Sequence, residues 1–400
     1  MCGFQDDSES CAETNEATVI APCDLKAAAQ DGITAPAAAA AAVPFRQSQM
    51  FDFMAGGSGA VDGEGSGEII DVAHSGSARP LPTPRPPPRA EHSCPFGCQC
   101  NHKVVQCSDL GLRDVPSNIP LDTTLLDLQG NKLTEIKDDA FKNQAKLHVL
   151  ILANNKISKI HPKAFLPLVS LDRLYLSKNQ LEEVPPNLPK YLTELRLYEN
   201  RISKVPREIF YGLKRLNAIE MGNNPLQNSG IDVGSFKGLD RLTYIRLSDS
   251  ELSAIPKGLP ASLNELHLDG NKITAIGDSD LKGLDHLTRL GLSHNKISSV
   301  KDGSLTHASG LLELHLDSNQ LSRVPPGLAD LKLIMAVYLH ENKISVVEPD
   351  DFCGKGHSPK KSLYSAISLY GNPVNYWDIQ PLAFRCVTSR VAVQLGNYRK

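Results

Sequence analysis

The chain has 400 residues, 41% of them hydrophobic, with a formal charge of -3 at pH 7. That is enough apolar material for one large domain or two ordinary ones. No run approaches the roughly 18 apolar residues of a membrane-spanning helix, and the near-neutral balance argues against a strong nucleic-acid binder.

In chain order, residues 1–42 carry acids, Cys2, Cys11 and Cys23, but no leucine-rich core of about 7 to 15 residues such as a secretory signal needs. We read them as an atypical N-terminal segment, either disordered or a mis-joined signal region. Residues 43–54, "VPFRQSQMFDFM", precede an acidic Ser-Gly and Pro-rich tail over 55–93 that ends in "RPLPTPRPPPR". Up to Ser93 the chain holds 13 acids and 5 bases, against 32 and 37 beyond it, so an acidic arm near -8 leads a body near +5. Such a tail cannot bury enough to offset chain entropy and is expected to be disordered, its prolines acting as a semi-stiff spacer.

Within this tail, three Ser-Gly pairs begin at Ser58, Ser66 and Ser75. As linker residues they need no further explanation. Ser66 differs because Asp62, Glu64, Glu68 and Asp71 surround it. An accessible hydroxyl beside glycine and among carboxylates is what a glycosyltransferase with a basic groove could select, so Ser66 ranks first for a covalent glycan, ahead of Ser58 and then Ser75.

Four cysteines open the body, Cys94, Cys98, Cys100 and Cys107, within a cap at 94–122. Their spacing could in principle hold zinc, but a second Cys or His cluster at ligand spacing is missing, so disulfides are favoured and no metal is expected. Disulfides belong to an oxidising compartment, hence a secreted protein.

Over 123–374 the pattern L-x-x-L-x-L-x-x-N-x-L recurs eleven times, clearest in "LHVLILANNKI" (147–157), "LDRLYLSKNQL" (171–181), "LNELHLDGNKI" (263–273) and "LLELHLDSNQL" (311–321). The asparagine position returns at intervals of 21 to 26 residues, and of 30 at the end, the range of leucine-rich repeats. Alternation in x-L-x-L-x sends the leucines to one face of a short strand. One such strand cannot bury that face, so neighbours stack into a curved parallel sheet around a shared core. The expected fold is an α/β-type leucine-rich-repeat solenoid with disulfide caps at both ends. Proline-containing segments such as "VPPNLPKYL" and "IPKGLPASL" point to irregular, 3-10 or polyproline-like structure on the convex side. Residues 353–400, with Cys353 and Cys386, form the C-terminal cap, where the longest interval should loop out and be tied back.

Residues opposite the leucines form the concave face. One column includes Ile151, Tyr175, Arg196, Arg246, His267 and His315; an adjacent one includes Arg173, Glu194, Tyr244, Glu265 and Arg289. Both signs alternate with aromatics between, which suits a long partner carrying both signs. The plain alternative is a soluble, edge-protected sheet. His267, His315 and His340 read as solvated surface residues. There is no nucleophile elbow and no catalytic constellation, so the chain is expected not to be an enzyme and to need no cofactor.

The runs "CPFGCQC", "TTLLDLQGNKLTEIK", "LYLSKNQL" and "NPVNYWDIQPLAFRC" and the ending "QLGNYRK" together resemble the class I small leucine-rich proteoglycans, the decorin and biglycan family. The resemblance covers Cys94 to Lys400, and 43–54 resembles the family propeptide. "FDFM" and "YIRLSDS" look like one member, "ISKIHPKAF" and "EMGNNPLQNSG" like the other. The resemblance implies a secreted matrix protein, its tail serine carrying chondroitin or dermatan sulfate, its body binding fibrillar collagen and limiting fibril growth. Growth factors of the transforming growth factor beta class are further implied partners, and a homodimer is compatible with it. It maps the collagen contact to "YIRLSDS", carrying over Arg246 and Asp249, with Tyr244 and His267 beside them on the face. It pairs Cys94 with Cys100, Cys98 with Cys107, and Cys353 with Cys386. The family's N-glycan sequons are absent, with Glu251, Asp302 and Lys343 at the matching positions. The alternatives are a soluble recognition module or a growth-factor-sequestering protein, neither bearing a glycosaminoglycan, and a purely structural spacer.

Overall fold

The computed structural model describes residues 94–355 and 364–396. The chain divides into two units, Met1–Pro82 and Thr83–Lys400, and every described residue lies in the second.

Each of the eleven copies contributes one three-residue strand to a single sheet. From Leu125–Asp127, Val149–Ile151 and Arg173–Tyr175 through Tyr244–Arg246, Glu265–His267 and Arg289–Gly291 to Ala366–Ser368, every strand runs parallel to the next. An antiparallel hairpin, Gln99–Asn101 with Val104–Gln106, extends one end of the sheet. A short strand, Val393–Gln394, extends the other and makes 14 strands. The repeat pattern did not show that last strand, since two residues carry no periodicity.

Leu174, Leu176, Leu195, Leu197, Leu266 and Leu268 are fully buried, as are their counterparts along the stack. Truncating one such leucine to alanine costs about 2–5 kcal/mol. Behind the sheet the chain is not helical: the described residues hold short 3-10 turns at Asn228–Gly230, Leu305–His307 and Leu328–Asp330 and no α-helix. Phenylalanines stack from turn to turn at the back of the core, Phe141 on Phe165 at 6.3 Å and Phe210 on Phe236 at 6.0 Å. Two parallel pairs, Glu135–Ile136 with Lys159–Ile160 and Ala275–Ile276 with Ser299–Val300, form separate small sheets that periodicity did not foretell.

The asparagine column explains how each strand ends. Asn179 Nδ2 donates to Leu176 O at 3.0 Å in its own turn and to Leu152 O at 3.0 Å in the turn before. Its Oδ1 accepts from Ile157 N at 3.0 Å, also one turn back. One buried amide therefore supplies backbone partners to two turns, and nine further asparagines repeat the arrangement, from Asn131 to Asn372. The residue before each is left-handed, with Asn154 at φ 54°, Lys178 at 57° and Glu199 at 57°, a conformation costing about 1–2 kcal/mol outside glycine. Several net hydrogen bonds of about 1 kcal/mol each offset it. Ser250 interrupts the column: its hydroxyl reaches only Ser248 O, at 3.4 Å, and Leu226 N turns back to Asn224 O at 2.7 Å.

Disulfides close both ends of the core: Cys94–Cys100 and Cys98–Cys107 at one, Cys353–Cys386 at the other. At the latter, Arg385 ties the long last interval to the terminal segment, donating to Pro349 O at 2.7 Å, Asp350 Oδ1 at 2.8 Å and the Cys353 carbonyl. The tip of the expected loop, 356–363, lies outside the described residues.

Candidate functional site

The first and third residues of each strand project from the open face of the sheet, because the central residue points into the core. Parallel register then sets like positions side by side: Tyr244 beside Glu265 beside Arg289, and Arg246 beside His267 beside Gly291. Side chains distant in sequence thus become lateral neighbours.

Most of the charge on this face is engaged. Arg196 Nε lies 2.5 Å from Glu194 Oε1 and 3.8 Å from Glu220 Oε2, with its guanidinium 4.7 Å from the Tyr175 ring centre. Tyr175 donates to Glu194 Oε2 at 3.1 Å, and burial together with that carboxylate pushes its hydroxyl up to about 12. Further along, Arg289 reaches Glu313 at 3.5 Å. His267 Nε2 donates to Glu265 Oε2 at 3.1 Å and His315 Nε2 to Glu313 Oε1 at 2.7 Å, and each bond holds its glutamate below the ordinary carboxylate value.

Arg246 is different. It bonds the Tyr244 hydroxyl, yet no carboxylate among the described residues lies within ion-pair distance of it, and its Nε is buried without a partner. Asp249, three residues on, is exposed on a left-handed turn, and burial of its flank raises its carboxyl above the usual value while Arg246 pulls the other way. Tyr244 packs against His267 with ring centres 5.2 Å apart. The structure therefore gathers the four residues singled out for collagen, Tyr244, Arg246, Asp249 and His267, on two adjacent strands and the turn between them. Asp249 is exposed with one flank covered, whereas Arg246 is half-buried among its neighbours.

The histidines correct the expectation of solvated residues. Side-chain exposure is 17% for His267, 21% for His315 and 18% for His340. His315 stacks on Tyr338 at 4.4 Å and His340 on Tyr370 at 4.3 Å, and His340 Nδ1 shares a 3.0 Å hydrogen bond with Ser368 Oγ. Burial lowers the affinity of His340 for a proton. The missed signal is the pentapeptide Glu-Leu-His-Leu-Asp, present at 265–269 and 313–317, which alternation places with all three polar side chains on one face. Ile151, expected on this surface, is closed off at 5% exposure. Among the described residues no group of three His, Cys, Asp or Glu has the geometry of a metal site, and no helix is long and apolar enough to cross a membrane. Ser58, Ser66 and Ser75 lie outside the described residues.

Comparison with known proteins agrees with the repeat architecture. The family model "Leucine rich repeat" matches residues 123–181, 190–252 and 261–321, and "Leucine rich repeat N-terminal domain" matches 93–120. A chain from a solved octameric complex of Latrophilin 3, Unc5D and FLRT2 (LRR) is 28% identical with a TM-score of 0.51, over 57% of this chain and 85% of that one. Biglycan from Xenopus laevis is 55% identical over 90% of this chain and 96% of its own length. Decorin from Oryctolagus cuniculus and from Homo sapiens is also 55% identical, over 89% of this chain and 95% of each relative. Equal similarity assigns the chain to the pair rather than to either member. With its stack of parallel strands, its disulfides at both ends and 55% identity to these relatives over about nine-tenths of its length, the chain belongs to the small leucine-rich proteoglycans, in the decorin and biglycan family.

Proposed function

We propose that this chain is the core protein of a secreted extracellular-matrix proteoglycan that binds fibrillar collagen through the open face around Tyr244, Arg246, Asp249 and His267 and limits fibril growth. It acts by binding rather than by catalysis. Ser66 carries chondroitin or dermatan sulfate, with Ser58 and then Ser75 as lesser sites, and growth factors of the transforming growth factor beta class are further partners. One observation supports this reading most: Arg246 is a cation without a carboxylate partner among the described residues, on a face where Arg196 and Arg289 are already committed to glutamates. A guanidinium left in that state is available to an incoming carboxylate or row of carbonyls, and the exposed Asp249 beside it offers the opposite charge. The disulfides at both ends suit an oxidising, extracellular setting.

The test combines saturable binding of the full chain to reconstituted collagen fibrils with intact mass before and after chondroitinase. The reading expects saturation and a large enzyme-sensitive mass that Ser66→Ala removes more completely than Ser58→Ala. Binding that never saturates would leave a structural spacer. A tail without xylose would leave a recognition module, the use suggested by likeness to a chain from a multi-protein complex.

A further inference from the structure

Past the asparagine column, the turns that follow Asn271 and Asn295 run on as the parallel pair Ala275–Ile276 and Ser299–Val300. The next turn cannot join them. Where it would pair, it reads Arg323-Val324-Pro325-Pro326, and proline has no N–H to give to a ladder. The chain parts from the strand, and a cleft of about 390 Å³ opens, lined by Ser298, Ser299, Ser322, Arg323, Pro325 and Pro326, with Val300 and Leu321 completing the apolar part.

The same construction occurs earlier. Glu135–Ile136 pairs with Lys159–Ile160, and the following turn reads Glu182-Glu183-Val184-Pro185-Pro186. Val184 and Val324 are both buried, at 2% and 3% exposure, so the scaffold needs the valine and the prolines. It does not need the residues before them, and these differ in sign: Glu182 and Glu183 in one turn, Ser322 and Arg323 in the other. The charge of the second cleft is therefore a property of its own.

Arg323 is exposed, and among the described residues no carboxylate lies within ion-pair distance of it. Asp351 feels its charge but already accepts from Glu348 N at 2.7 Å. Of the three serine hydroxyls of the cleft, only that of Ser298 makes a bond among the described residues, a long one of 3.5 Å to Thr274 O. Lys296 and Lys343 stand at the position after the ladder asparagine on the turns to either side of Asn319, both exposed and without an ion pair among the described residues. Two turns separate them, about 10 Å at the spacing of neighbouring strands.

We propose that this cleft binds a sulfate ester of a linear sulfated polysaccharide. Arg323 takes the anion, the Ser298, Ser299 and Ser322 hydroxyls donate to its oxygens, and a sugar ring lies against Pro325 and Pro326, while Lys296 and Lys343 meet sulfates further along the chain. A volume at the lower end of small-ligand sites exceeds what a lone anion fills. The inference holds whether or not the tail is modified or collagen is bound.

The experiment uses the full chain with Ser58→Ala, Ser66→Ala and Ser75→Ala, so that no covalent glycan of its own competes. A sulfated chondroitin octasaccharide and its unsulfated counterpart are titrated at fixed ionic strength, with inorganic sulfate and phosphate as separate arms. Arg323→Gln should weaken binding of the sulfated sugar about tenfold, and Lys296→Gln about threefold, with the thermal midpoint unchanged. Ser322→Glu, which makes the cleft resemble its acidic counterpart, should abolish binding. Equal affinity for the unsulfated sugar, unchanged affinity in Arg323→Gln, or inorganic sulfate or phosphate binding as tightly as the octasaccharide would each overturn the proposal.

Discussion

The carboxylate of Asp249 occupies the space that a side chain at Gly270 would need: a Cβ built there overlaps Asp249 Oδ1. Gly270 also sits at φ 69°, where a side chain is strained whatever its surroundings. Gly270→Ala should therefore lower stability by about 1–3 kcal/mol and turn Asp249 away from its place beside Arg246. Fibril binding should fall with it, although residue 270 itself offers no side chain to a partner. Removing the obstructing carboxylate in Asp249→Ala/Gly270→Ala should recover part of the stability but none of the binding. Urea midpoints and fibril binding measured on Gly270→Ala, Asp249→Ala and the double variant test both halves. Additive stability losses would show that the two residues do not compete for space.

Arg246 and Arg196 occupy equivalent positions two strands apart, yet they should respond differently to truncation. Arg196→Ala removes the cation shared by Glu194 and Glu220, leaving both half-buried and uncompensated, and should cost about 1–3 kcal/mol. Arg246→Ala breaks no ion pair among the described residues and should cost less than about 1 kcal/mol. The order reverses for collagen, where Arg246→Ala should weaken fibril binding about tenfold or more and Arg196→Ala far less. Equal losses of binding in the two variants would place the contact across the whole face rather than at Tyr244–Arg246.

What the sequence made legible, and what it hid, follows from the range of the interactions involved. Leu174 and Leu176 point inward because of alternation within a few residues, so the strands and the shared core can be read directly from the repeat. The state of Arg246 depends on what stands one turn to either side, Glu220 and His267, 26 and 21 residues away in sequence. Columns aligned by the repeat identify these neighbours but not whether their side chains meet. That is why His315 and His340 read as solvated, although the structure sets them on Tyr338 and Tyr370 of the following turns. The small pair Ala275–Ile276 and Ser299–Val300 is hidden for another reason: two residues are too few to show a period, and only the prolines of the next turn mark where it must stop.

The buried histidine makes stability depend on pH above the acid range. His340 binds its proton less readily in the folded chain than its ordinary value of 6.5 allows, chiefly through burial, with Asp317 at 3.5 Å opposing. Glu341 also opposes the shift, while His294 and His315 reinforce it. The unfolded chain then takes up more protons than the folded one as pH falls through 6.5, so stability should decline from that point downward. Glu265 and Glu313 act lower. Their folded values lie below the ordinary 4.5, so the stability they add is present above that value and is lost as pH falls through the folded ones. Urea midpoints between pH 8 and 3 should show two declines, and His340→Gln should remove the upper one only. An upper decline that survives the substitution would assign it to another group.

The asparagine column offers a gain as well as a loss. Asn179→Ala leaves the carbonyls of Leu152 and Leu176 and the N–H of Ile157 without their shared partner inside the stack, and buried groups left in that state cost about 1–3 kcal/mol each before relaxation. A loss of roughly 3 kcal/mol is expected. Ser250 already lacks that amide, and the consequence is local: Leu226 N folds back on Asn224 O, and the Ser248 hydroxyl is buried without a partner. Ser250→Asn puts an acceptor where Leu226 N can meet it and a donor near Met221 O, the groups that every other register of the ladder joins across turns. Stability should rise by about 1 kcal/mol. Because Ser250 follows Asp249, the same change tests whether the turn is kept loose for binding. If Ser250→Asn stabilises the chain and weakens fibril binding, the gap in the ladder gives Asp249 freedom to adapt to its partner; if it stabilises without touching binding, the gap serves only the backbone.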